Sequence, residues 1–86
     1  VTNLSDSAVE VDVLLFANAA EVAATRRLSV VGSTVAEVLE AVVERIPALA
    51  PIVASSGCWV NRIPAQLATP IVAGDEVAII PPVSGG

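Results

Sequence analysis

The sequence predicts an α+β domain in which a mixed sheet of four to five strands packs on one main helix. Three observations carry this reading. A strict apolar/polar alternation opens the folded part at 9–16, one long amphipathic helix lies at 34–47, and a short apolar strand closes the fold at 76–80. A sheet of this kind buries one face on its helix and leaves the other open.

Residues 1–8, "VTNLSDSA", are polar and without period, and read as a loose leader. In "VEVDVLLF" (9–16), Val9, Val11, Val13 and Leu15 share one face while Glu10 and Asp12 lie on the other, the period of a half-buried strand. The outward face ends in Leu14 and Phe16, an odd choice for a solvated surface. "ANAAEVAAT" (17–25) is Ala-rich and reads as a short helix or turn, and "RRLSVV" (26–31) as a second strand.

The segment 34–47 is the strongest helix signal. Val35, Val38, Leu39, Val42, Val43 and Ile46 form one continuous stripe, with Glu37, Glu40, Glu44 and Arg45 off it. Thr34 with Glu37 forms a capping box and Pro47 stops the helix. "ALAPIVASS" (48–56) holds a short helical turn, and "GCWVN" (57–61) a strand with Cys58 and Val60 on one face and Trp59 on the other. In 62–75, Pro64 and Pro70 allow at most a brief edge strand. Gly74-Asp75 then turns into "EVAII" (76–80), with Val77 and Ile79 inward. An early hairpin, one crossing helix and later strands match the β-grasp architecture of ubiquitin-like proteins, from which a ferredoxin-like fold differs by one more helix. The expected organisation is a leader at 1–8, a β-grasp domain at 9–80 and an extended tail at 81–86.

Composition narrows the chemistry. The 86 residues are 55% apolar yet hold one Phe, one Trp and no Tyr, so the core must be aliphatic. There is no His and a single cysteine, Cys58, which excludes a Cys/His metal site, an internal disulfide and any triad with a histidine base. Cys58 alternates with Val60 and is expected to be a buried strand residue. All four basic residues are arginines and the net charge is −5, which argues against nucleic acid and for a basic protein partner. The longest charge-free run, Ile46 to Asn61, is 16 residues with two prolines, short of the roughly 20 that cross a bilayer. No basic segment precedes an apolar run at the start, so a soluble, cytoplasmic protein is expected, with no membrane association.

Two features remain as candidate working parts. Leu14, Phe16, Trp59, Ala78 and Ile80 alternate away from the core and include both aromatics, a candidate partner-docking patch. The end, Pro81, Pro82, Val83, Ser84, Gly85 and Gly86, pairs two prolines that cannot extend a sheet with two glycines slender enough to enter a narrow channel. At its tip is the α-carboxylate of Gly86, which is unreactive towards nucleophiles until its oxygen becomes a leaving group. Adenylation by ATP would make that conversion, and attack by a sulfur donor would then leave a thiocarboxylate.

The stretch "VNRIPAQLATPIVAGDEVAIIPPVSGG" resembles the C-terminal third of the small subunit of molybdopterin synthase (MoaD), within the MoaD/ThiS sulfur carriers. "VDVLLFANAAEV" looks like that family's opening strand, Phe-Ala and short helix, so the resemblance spans 9–86. It departs where the family commonly has Arg before the Glu of that segment and Gly shortly after; here these are Ala20, before Glu21, and Ala24 or Thr25. The resemblance implies that a ubiquitin-activating-like enzyme uses ATP to adenylate Gly86, and that a sulfur donor protein then loads it. The chain itself would bind no cofactor. The tail would enter a pocket of the large synthase subunit, within a heterotetramer, and pass sulfur to a pyranopterin precursor to form the molybdopterin dithiolene. The catalytic groups would be the partner's, since this chain lacks them. Two other functions share these features: a sulfur carrier for thiamine or cysteine synthesis, and a non-catalytic ubiquitin-like modifier or binding module.

Overall fold

A computed structural model describes residues 8–82. The leader expected at 1–8 falls outside the described residues except for Ala8, as do Val83, Ser84, Gly85 and Gly86 of the tail. The elements run in the order β1 (Val9–Leu15), α1 (Ala17–Ala23), β2 (Arg27–Gly32), α2 (Val35–Arg45), a 3-10 turn (Pro47–Leu49), α3 (Ala50–Ser55), β3 (Gly57–Val60), β4 (Ile63–Pro64) and β5 (Glu76–Ile80). The five strands form one sheet ordered β2-β1-β5-β3-β4. β1 is antiparallel to β2 and parallel to β5, and β3 is antiparallel to both of its neighbours, so the sheet is mixed. This is the β-grasp arrangement.

The alternation of β1 is realised in full. Val11, Val13 and Leu15 are buried, and they meet Val77 and Ile79 of β5, Val30 of β2 and the α2 stripe. On α2, Val35, Val38 and Val42 are fully buried while Leu39, Val43 and Ile46 are half-buried, so the stripe is deepest along its centre. Ala19, Leu49 and Ile71 complete a core with no aromatic residue. Gly32 explains how closely β2 approaches α2. A Cβ there would lie 2.9 Å from Val38 Cγ2 and 3.0 Å from the Val38 backbone nitrogen.

The start of α2 shows where a helix's unpaired N–H groups go. Val35 N–H donates to Thr69 O at 3.0 Å and Ala36 N–H to Leu67 O at 3.0 Å, both from the irregular 65–75 segment. Glu37 N–H donates to Thr34 Oγ1 at 3.2 Å, the expected capping bond. The reciprocal arm differs from the expected box: Glu37 Oε1 accepts from Ser33 N–H at 2.8 Å and from Ser33 Oγ at 2.6 Å. These bonds hold the Glu37 carboxyl below its ordinary value, the Ser33 hydroxyl contributing most and the Ser33 amide next. At the other end Ile46 leaves the helical region, as the residue before Pro47 must.

Several boundaries shift by a residue. Phe16 ends β1 as the extended N-cap of α1. Asn61 leaves β3 to form a two-residue turn with Arg62, both at positive φ (51° and 71°), between the paired Val60 and Ile63. That is the type I′ hairpin geometry. The brief edge strand in 62–75 is β4, whose Pro64 sits at the sheet's margin, where a missing N–H is tolerated. Cys58 is half-buried, not buried as expected, because β3 lies near the sheet edge, where the inner face meets only partial cover. Among the described residues, no helix is long and apolar enough to cross a membrane.

Candidate functional site

The open face of the sheet is built outward from β5. Its inner residues Val77 and Ile79 are fully buried, so Glu76, Ala78 and Ile80 turn to the other side. Register places Ala78 opposite Leu14 on β1 and Trp59 on β3, and Trp59 opposite Pro64 on β4. Leu14 in turn faces Arg27 on β2. One row therefore crosses all five strands as Arg27, Leu14, Ala78, Trp59, Pro64. With neighbouring strands about 4.8 Å apart, Leu14 and Trp59 stand about 10 Å from each other across Ala78.

The next row carries the rest of the candidate patch. Ile80 faces Gly57, and continuing β1 one residue past the Leu15–Ile79 pair brings Phe16 level with Ile80. A Cβ built at Gly57 would lie 4.0 Å from Trp59 Nε1 and 3.8 Å from Ile80 O, so the indole lies beside a position without a side chain. Leu14, Phe16, Trp59, Ala78 and Ile80 thus occupy two adjacent rows of one face. Phe16, Trp59 and Ile80 stay 45%, 38% and 36% exposed, so the fold does not tuck the anchors under loops. Such an exposed cluster has the composition of an interface hot spot.

The same face changes character towards its other end. Asp12 pairs with Glu76 in register, and Glu10 lies two residues before Asp12. Glu10 Oε2 accepts a 2.8 Å bond from Ser29 Oγ on β2. A partner covering the whole face would meet apolar rows at one end and carboxylates at the other. Asp75 points elsewhere: its Oδ1 accepts from Asn61 Nδ2 at 2.8 Å and its Oδ2 from Val72 N–H at 2.8 Å. Asn61 therefore sets the turn after β3, as its residue type indicates, and Asp75 is committed to the same network. The Asn61–Asp75 pairing is not visible in sequence, because 14 residues separate the two.

The tail begins at the apolar end of this face. β5 stops at Ile80, Pro81 is buried and Pro82 is exposed, so the chain leaves the body one residue later than a proline pair lifting away together. Val83, Ser84, Gly85 and Gly86 lie outside the described residues. Cys58 is on the opposite, inner face, in a cleft lined by Val35, Leu39, Val53 and Leu67. Burial pushes its thiol up from 9.0, which leaves it a protonated, poor nucleophile near neutral pH. Two contributors to the site were missed in the sequence. Gly57 lies beside the indole, where a Cβ would meet Trp59 Nε1 at an ordinary 4.0 Å, and Pro64 extends the apolar row to the margin; only register reveals either.

Known structures share this architecture. Small archaeal modifier protein 1 (SAMP1) from Haloferax volcanii is 35% identical, with a TM-score of 0.81, over 90% of this chain and 99% of that one. SAMP1 from Methanosarcina acetivorans is 32% identical, with a TM-score of 0.83, over 92% and 98%. A chain in the complex of subunits 1 and 2 of molybdopterin-converting factor from Helicobacter pylori is 23% identical, with a TM-score of 0.67, over 90% and 99%. Compared with curated protein sequences, the chain has no significant match. The ThiS family model matches residues 13–86, nearly the whole of the folded part and the tail, and the chain belongs to this family of ubiquitin-like sulfur carriers.

Proposed function

We propose that this chain is the sulfur-donating small subunit of a molybdopterin synthase, working in the cytoplasm. The observation that supports it best is the meeting of two features at Ile80. The residue that ends the sheet belongs to the apolar patch, and the tail starts immediately beyond it. A large subunit seated on Leu14, Phe16, Trp59, Ala78 and Ile80 is thereby placed to receive Pro82, Val83, Ser84, Gly85 and Gly86 in a channel. The likeness to a chain in the Helicobacter pylori complex of subunits 1 and 2 supports a partner of this kind.

The chemistry sits on the backbone. The Gly86 carboxylate attacks the α-phosphorus of ATP on a ubiquitin-activating-like enzyme, and pyrophosphate leaves. A sulfide-level donor then displaces AMP. The thiocarboxylate sulfur attacks a carbon of a pyranopterin precursor in the large subunit and displaces an oxygen substituent. Water cleaves the acyl C–S bond, which returns the Gly86 carboxylate and leaves the sulfur on the precursor. Binding energy from the patch fixes the tail near its acceptor and makes the transfer effectively unimolecular.

A second reading, a ubiquitin-like modifier joined through Gly86 to partner lysines, is favoured by the 35% and 32% identity to the two SAMP1 proteins. Intact mass after incubation with the activating enzyme, ATP and a sulfur source separates the two. Replacement of one oxygen by sulfur, followed by dithiolene formation when the large subunit and precursor are added, is the expected result. Lysine-linked adducts in its place would establish the modifier reading, and a persistent free acid would sink both. Deleting Gly86, or adding one residue after it, should abolish transfer while leaving the fold intact.

A further inference from the structure

β2 is an edge strand with β1 as its one neighbour. The bond from Leu15 N–H to Arg26 O, 2.9 Å, sets the phase of that pairing. Alternate residues therefore turn to β1, and Arg27, Ser29 and Val31 aim their backbone groups outward. An edge of this kind is a template for a further strand. Here it is partly occupied by side chains from elsewhere in the chain. Thr25 Oγ1 donates to Arg27 O at 3.2 Å and accepts from Arg27 N–H at 3.4 Å. Arg45, in the last turn of α2, donates from Nη2 to Ser29 O at 3.1 Å.

Without these contacts the edge complements itself. Two antiparallel copies of β2 crossing at Ser29 would exchange the Ser29 N–H and C=O groups at the centre. Arg27 of each copy would lie against Val31 of the other, next to Glu10, the β1 residue that pairs with Val31. Cation and carboxylate would then meet on both sides of the two-fold axis. Arg45 occupies the carbonyl at the centre of that pairing, and Thr25 occupies both groups at its rim.

We propose that Arg45 and Thr25 are edge guards that hold β2 closed to a second copy of this chain. They keep the open sheet from running on across two molecules, so that each copy presents one patch and one tail. The guards act by occupying edge groups that a second strand needs. A second copy gains the edge only by displacing a charge-assisted bond and a hydroxyl that serves two groups.

Sedimentation velocity and amide hydrogen exchange on the full chain test this. The wild type should sediment as a monomer across concentration. Arg45→Ala combined with Thr25→Val should give a concentration-dependent dimer with new protection at the Ser29 amide. Arg45→Ala alone, at an exposed helical position, should give the same shift more weakly, and Arg45→Lys, which keeps a donor, should stay monomeric. Adding Val31→Lys to the double variant sets like charges against Arg27 of the second copy and should restore the monomer. A folded double variant that stays monomeric would overturn the proposal. So would a wild type that already dimerises with Ser29 protected, or self-association that Val31→Lys leaves untouched.

Discussion

Asn61 and Asp75, 14 residues apart, are joined by a 2.8 Å hydrogen bond from Nδ2 to Oδ1, and this bond ties the β3–β4 turn to the start of β5. Asn61 also accepts from Glu76 N–H at 3.0 Å and donates its own N–H to Glu76 O at 2.8 Å. Its φ of 51° lies in the left-handed region, where Asn is far better tolerated than most residues. Asn61→Ala removes two side-chain bonds and raises the backbone cost. The expected loss is about 2–3 kcal/mol, from about 1 kcal/mol per bond plus the conformational penalty. Denaturant unfolding checks it; a loss no larger than that of an ordinary surface substitution would show that the clamp contributes nothing.

Gly32 is required by proximity. A Cβ there would meet Val38 Cγ2 at 2.9 Å, Val38 N at 3.0 Å and Glu37 C at 3.2 Å. Two of these are backbone atoms of α2, which cannot rotate aside. Gly32→Ala should force the helix off the sheet and cost on the order of 1–3 kcal/mol, as overpacked cores do. Thermal unfolding measures it, and an unchanged midpoint would mean that α2 has room to shift.

Two other positions should gain from glycine. Ala24, at φ 59° and ψ 26°, closes α1 in the left-handed conformation, with Thr25 N–H bonded to Ala20 O and Ala24 N–H to Glu21 O. This is the geometry that glycine usually supplies at a helix C-terminus. Arg62, at φ 71°, holds the second place of a type I′ turn, where glycine is also preferred. Ala24→Gly and Arg62→Gly should each stabilise by about 0.5–1 kcal/mol, and the two should add because the sites share no partner. Lower midpoints would show that these bends carry no strain.

How much of this was legible depends on whether a feature is local. The α2 stripe, its Thr34 cap and the stop at Pro47 repeat within a few residues, and the helix lies where they put it. The alternation of β1, β3 and β5 already assigns Leu14, Trp59, Ala78 and Ile80 to one face. Their placement in adjacent rows could not be read, because register is a relation between strands. Ile71 and Leu49 were equally hidden. Each is buried from a segment without period, and what places Ile71 is a bond from its N–H to Ser33 O at 2.9 Å. Alternation places Cys58 on the inner side of β3, but it reports the side of a strand and not how near the sheet's edge it lies, and the thiol is half-buried.

Stability in acid should carry the signature of Glu37. Its folded carboxyl titrates below the ordinary value of 4.5 because Ser33 donates two bonds to the charged form. The stabilisation is therefore complete above 4.5 and is lost as the pH falls through the lowered folded value. Glu37→Gln keeps an acceptor but cannot titrate. The wild type's advantage over this variant should be constant at neutral pH and vanish in strong acid. A difference in unfolding midpoint that is the same at both extremes would contradict the assignment.

The docking patch yields the sharpest test of the functional reading. Trp59 and Phe16 are exposed, lie on the open face and belong to neither the buried cluster nor the residues packed against it, so truncating them should leave folding intact. Covered by a large subunit, each would become a desolvated aromatic anchor, the kind that dominates interface energetics. Trp59→Ala should then weaken binding to that subunit by about 2 kcal/mol, roughly 30-fold, and Phe16→Ala by a comparable amount. Asp12→Asn, at the carboxylate end of the face, removes one charge without altering the apolar rows. Its effect should fall mainly on the association rate and fade with salt, because a rim charge steers encounter more than it holds the complex. Surface plasmon resonance at two ionic strengths separates these behaviours. Unchanged affinity on losing Trp59 would place the partner on another face, whatever chemistry the tail performs.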